Sequence, residues 1–111
     1  MKIVVIDGQG GRIGSLVTAR LRKEQLPNCE LYAIGTNATA TAAMLKAGAD
    51  FGATGENPVL VACRDADFII GPLGILSADS LLGEVTPAMA VADLSVSQLI
   101  DETIKFLKKS L

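Results

Sequence analysis

The stretch VVIDGQGGRIGSLV, residues 4 to 17, limits the folds open to this chain more than any other, because an apolar run meets four glycines and then a helix-like pattern. Residues 2 to 6, KIVVI, are mostly β-branched and show no polar alternation, which is how a strand buried on both faces of a parallel sheet reads. Beyond the glycines, Ile13, Leu16, Val17 and Leu21 fall on one helical stripe, while Arg20, Arg22, Lys23 and Glu24 face water. Pro27 and Asn28 then end the helix. Strand, tight turn and helix in that order predict an α/β fold.

The pattern repeats along the chain. ELYAIG reads as a second strand, TATAAMLKA at residues 39 to 47 as an Ala-rich helix closed by Gly48, and ADFGA as a third strand. In ENPVLVACRDADFIIGP, VLVAC has strand propensity, but a parallel crossover at this point needs a covering helix. It is therefore read as a short helix, with RDADFIIG as helix end, turn and fourth strand. Helical patterns follow around Ala78 to Leu82, from Thr86-Pro87, and from Ser95 onward, where Leu99, Ile100, Ile104, Leu107 and Leu111 make an apolar stripe. The expected architecture is a Rossmann-like open parallel sheet of four or five strands flanked by helices, in a single domain over residues 1–111.

Composition narrows the function. Ten basic and 12 acidic residues give a net charge of −2, and only four residues are aromatic, so neither a basic footprint nor stacking platforms for nucleic acid are present. Apolar runs such as FIIGPLGILSA are too short and too broken by Gly and Pro to cross a bilayer, and MKIVVID reads as a strand rather than a leader, so a cytoplasmic location is expected. Cys29 and Cys63 have no C-x-x-C spacing and read as structural thiols. The chain has no His, which removes the commonest general base and zinc ligand.

Chemistry is therefore sought at the glycines. Gly8, Gly11 and Gly14 have G-x-x-G-x-x-G spacing with Gly10 as an extra, between a strand and a helix, where main-chain amides at a helix start can point at a phosphate. Arg12 adds a cation and Ile13 completes the turn. In an open parallel sheet ligands sit beyond the carboxyl ends of the strands, where this chain places DGQGG, GTN, GATGEN and GPLGI. Thr36, Asn37, Thr54 and Gly71 join the candidate cofactor-binding set on that ground. Asp7 and Glu56 are the candidates for acid–base chemistry, and Asp7 also for a metal such as Mg²⁺. A carboxylate beside a pyrophosphate repels it unless a metal or hydroxyl intervenes, and the ribose carboxylate expected after strand two is replaced by Gly35, Thr36 and Asn37. NAD, NADP and mononucleotides therefore all stay open, as does a purely structural turn. Asp67 reads as a turn residue, and Asp79, Ser80 and Glu84 belong either to the rim or to solvated helix.

GQGGRIG resembles the G-x-x-G-R-M-G fingerprint of dihydrodipicolinate reductases, which implies a nicotinamide dinucleotide on the first strand–turn–helix unit alone. Over nearly the whole chain, VIDGQGGRIG, GTNATATAAMLKAGAD, GATGEN and DFIIGPLGI with ADSLLGEVTPAMA resemble a family of small bacterial proteins known only as a domain of unknown function. That resemblance implies a small Rossmann-like fold with polar loops and no assigned activity. Members of that family carry a further apolar strand and an Asn/Cys-containing loop where AVADLSVSQLIDE runs here, so either the sheet has four strands or an internal piece is missing from the sequence.

Three functions follow. The first is a nucleotide-binding module that holds NAD(P) or a related phosphate-containing small molecule. The second is a small metal-assisted enzyme, using Asp7 or Glu56 on a phosphorylated substrate and completed across a homodimer. The third is an oligomeric scaffold whose glycines are structural.

Overall fold

The computed structural model describes residues 1–72 and Met89. The element order is β1 (Lys2–Asp7), α1 (Arg12–Lys23), β2 (Glu30–Gly35), α2 (Ala38–Lys46), β3 (Phe51–Thr54), α3 (Glu56–Cys63) and β4 (Phe68–Ile70). The strands form one parallel sheet in the order β3-β2-β1-β4, an α/β arrangement consistent with a Rossmann-like fold. The helices expected beyond residue 72, the rim candidates Asp79, Ser80 and Glu84, and the question of a fifth strand lie outside the described residues.

Each feature of the sheet has a cause in the sequence. β1 is the central strand, and side chains alternate across its two faces. Ile3 and Val5 pack with Val17 and Leu21 of α1 and Met44 of α2, while Val4 and Ile6 pack with Val59 and Ala62 of α3 and with Met89. Because both faces are covered, the strand shows no polar alternation, and Ile3, Val4, Val5 and Ile6 are all buried. The chain steps outward from β1 to β2 to β3, then α3 carries it back across the opposite face to β4. The segment of disputed propensity is therefore helical, with Val59 and Ala62 buried one turn apart: covering the crossover outweighs the β preference of VLV.

One expectation is corrected. Only two of the four residues assigned to the buried stripe of α1 are inside. Gly14, Val17, Thr18 and Leu21 form that stripe, and Ile13 and Leu16 are 41% and 59% exposed. The reason is the close approach of α1 to the sheet at Gly14, where an added Cβ would lie 2.5 Å from the Met44 sulfur and 2.8 Å from Asp7 Cβ. That contact turns the small face of the helix inward. Thr18 is tolerated there because its hydroxyl donates to Gly14 O at 2.7 Å.

The remaining ends are tied by side chains. Asn37 caps α2, accepting the Ala40 N–H at 2.9 Å. Asp67 joins β4 to β1 by accepting the Lys2 N–H at 2.7 Å, as a turn residue should. Asp50 accepts the Leu31 N–H at 2.8 Å and pairs with Arg22. The Leu31 bond, followed by Arg22, holds the Asp50 carboxyl below the usual carboxylate range.

Candidate functional site

The strand register sets the rim. Asp7 stands opposite Gly35, and Gly35 opposite Thr54, so the carboxyl ends of β1, β2 and β3 form one row. The direction of winding reverses between β1 and β4, and ligands of open α/β sheets sit beyond the strand ends at such a switch. A cleft of about 220 Å³ lies there. Its walls among the described residues are Asp7, the turn from Gly8 to Gly11, Arg12, Ile13 and Pro72.

The turn is built tightly. Gly11 N–H donates to Gly8 O at 2.9 Å, and Gln9 takes a left-handed φ of 49° inside it. Gly11, the N-cap of α1, has φ 72°, and a Cβ there would sit 2.7 Å from Ala40 Cα. Glycine is required at that position both for the backbone angle and for the contact with α2. Asn37 locks the same corner by donating its amide to Gln9 O at 2.9 Å. Gly10 differs, since a Cβ added to it would meet nothing within 4 Å among the described residues.

Asp7 has a clear structural partner. It is 4% exposed, and its two carboxylate oxygens accept the N–H groups of Gly8, at 2.8 Å, and Gly14, at 2.6 Å. Gly14 is the third residue of α1, whose first turn has no intrahelical acceptor for its amides. Asp7 therefore caps the helix from the end of the neighbouring strand, with its negative charge at the positive end of the helix dipole. Ser15 N–H already bonds Gly11 O, which leaves the amides of Gly10, Arg12 and Ile13 without a partner among the described residues. These three amides lie on cleft-lining residues.

The other candidates divide between rim and cleft. Thr36 N–H bonds Asp7 O at 3.0 Å, which brings the β2 corner against the glycine turn. Gly71 is buried next to Pro72. Thr54 lies at the end of β3, two strands from Asp7, or roughly 10 Å at normal strand spacing. Its hydroxyl meets that of Thr41 at 2.8 Å, and Thr41 also accepts the Gly35 N–H at 3.1 Å. Glu56 is exposed at the first position of α3, after Gly55, and does not line the cleft. Asp7 and Glu56 are thus not brought together. Among the described residues no group of three or more His, Cys, Asp or Glu is placed to hold a metal ion. Both cysteines are free and half-buried, and burial pushes both thiols up.

Gln9 and Pro72 lie in two of the strand-end loops marked in the sequence without being singled out, Gln9 giving its carbonyl to Asn37 and Pro72 lining the cleft, whereas Thr41, which ties α2 to the ends of β2 and β3, lies outside those loops. The G-P dipeptide after strand four was a usable turn signal for Pro72. Nothing local marks Thr41.

A larger groove of about 340 Å³ lies between β3 and α3, lined in part by Lys2, Tyr32, Phe51 and Val61. Tyr32 and Phe51 stack there with centroids 4.8 Å apart, and Lys2 sits 4.5 Å over the Tyr32 ring while pairing with Asp65. The Lys2 cation in its lining is thus already paired. The smaller cleft has main-chain amides without an acceptor among the described residues on its wall.

The chain matches the family model described as a domain of unknown function, DUF3842, over residues 2–109, and belongs to that family. No curated protein and no solved structure matches it. Among the described residues no helix is long and apolar enough to cross a membrane.

Proposed function

We propose that this DUF3842 chain is a nucleotide-binding module that holds the phosphates of NAD(P) or a related ligand at the Gly8–Gly14 turn. The observation that carries the reading is the position of the cleft. It opens where the winding reverses, between β1 and β4, and the amides of Gly10, Arg12 and Ile13 on its wall have no acceptor among the described residues. A phosphate oxygen supplies acceptors of the right charge for amides at a helix start, and the Arg12 guanidinium adds a counter-charge. Asp7 does not block this geometry. Its oxygens hold the N–H groups of buried Gly8 and Gly14, deeper than the open amides of exposed Gly10, Arg12 and Ile13.

The test is thermal unfolding of the full chain with NAD, NADP, ATP and sugar phosphates. A ligand present at 100 times its dissociation constant stabilises by about 2.7 kcal/mol. Gly10→Val should abolish that gain, because it adds bulk to a cleft-lining residue whose Cβ would meet nothing within 4 Å among the described residues. Absence of any shift with all ligands at millimolar concentration would leave the glycines as structural elements of a scaffold. A shift that survives Gly10→Val would place the ligand elsewhere.

A further inference from the structure

We infer that the cleft selects dinucleotides carrying a 2′-phosphate on the adenosine ribose over those with a free hydroxyl, an inference that rests on the nucleotide reading above. In a sheet wound in this way the adenosine ribose lies at the carboxyl end of β2, where a carboxylate accepts its hydroxyls in NAD-selective sites and an arginine accommodates a 2′-phosphate in NADP sites. Here β2 ends at Gly35 and is followed by the neutral Thr36 and Asn37. Asp7, in register with Gly35, is 4% exposed, and both its oxygens accept main-chain N–H groups. No carboxylate of the β1 or β2 end is therefore turned toward a ribose.

The cation is in place. Lys2 pairs with Asp65, Arg20 with Glu24 and Arg22 with Asp50, whereas Arg12, Lys23, Lys46 and Arg64 have no hydrogen bond or ion pair among the described residues, and of these four only exposed Arg12 lines the cleft. Arg12 follows Gly11, which packs against the Ala40 backbone, and Asn37 bonds Gln9 O, so Arg12 starts α1 beside the β2–α2 corner. A guanidinium there can take a 2′-phosphate through two parallel N–H···O bonds.

Calorimetric titration of the full chain with NADP, NAD, 2′,5′-ADP and 5′-AMP tests the inference. NADP should bind about tenfold or more tightly than NAD, and 2′,5′-ADP more tightly than AMP by a similar factor. Arg12→Ala should weaken NADP about tenfold more than it weakens NAD, and Arg12→Lys should restore part of the difference. Equal affinities, tighter NAD, or equal weakening of both ligands by Arg12→Ala would overturn the selectivity and leave nucleotide binding standing. No binding by any of the four would overturn both. Arg12 is exposed, so an unchanged urea midpoint in each variant shows that the fold is intact.

Discussion

Replacing Asp7 by Asn changes one atom of the side chain and tests what the carboxylate holds. The wild-type oxygens accept two main-chain N–H groups, Gly8 at 2.8 Å and Gly14 at 2.6 Å, in a site 4% exposed. Asn retains one acceptor and turns its NH₂ toward the other N–H, so one charge-assisted bond is lost and two donors face each other. Hydrogen bonds to charged groups contribute about 1.5–3 kcal/mol, and a negative charge at a helix start adds about 0.3–1 kcal/mol. The expected loss is about 2–4 kcal/mol, read as a lower urea midpoint at unchanged slope. The loss should be the same with EDTA or with millimolar Mg²⁺, because the acceptors are filled by the chain's own amides. A loss below about 0.5 kcal/mol would refute the capping role. A loss seen only in the presence of Mg²⁺ would return Asp7 to the metal site that its position beside a glycine turn first suggested.

Three further outcomes follow from the same geometry. Gly11→Ala should cost about 2 kcal/mol or more in urea unfolding, since it combines φ 72° with a 2.7 Å overlap on Ala40, whereas Gly10→Ala should stay within about 0.5 kcal/mol; equal effects would contradict the turn described. Gln25 follows α1 with φ 51°, so Gln25→Gly should stabilise by about 0.5–1 kcal/mol, measured as a higher midpoint. The Asp50 carboxyl is held below its unfolded value near 3.8 by the Leu31 N–H and Arg22, so its contribution is present above that pH and is lost as pH falls through the lowered native value. Acid unfolding curves of wild type and Asp50→Asn should therefore converge at low pH.

The fold was legible where a single local rule had no competitor. KIVVI lacks alternation because both faces of β1 are covered, and the place of α3 followed from the geometry of a parallel crossover even though VLVAC favours a strand. The stripe of α1 was misread because hydrophobicity pointed to Ile13 and Leu16, while the packing is set by the absent Cβ of Gly14 against Met44, a residue thirty positions away in sequence. The glycine turn was recognisable as a turn, but its division of labour was not. Gly11 and Gly14 serve packing with α2 and Asp7, and Gly10 alone of these three has no neighbour for an added Cβ among the described residues. The partner of Asp7 was equally hidden, since no pattern joins a strand end to an amide seven residues later. The position of the candidate cleft required the order of β4 beside β1, which is a property of the folded sheet rather than of any motif.

The central claim is that the open amides of the glycine turn receive a phosphate, and main-chain NMR titration of the ¹⁵N-labelled chain with NADP tests it directly. Saturable shifts at Gly10, Arg12 and Ile13 should exceed those at Gly14, whose N–H remains on Asp7. Shifts absent at millimolar NADP, or confined to the groove beside Tyr32 and Phe51, would contradict it.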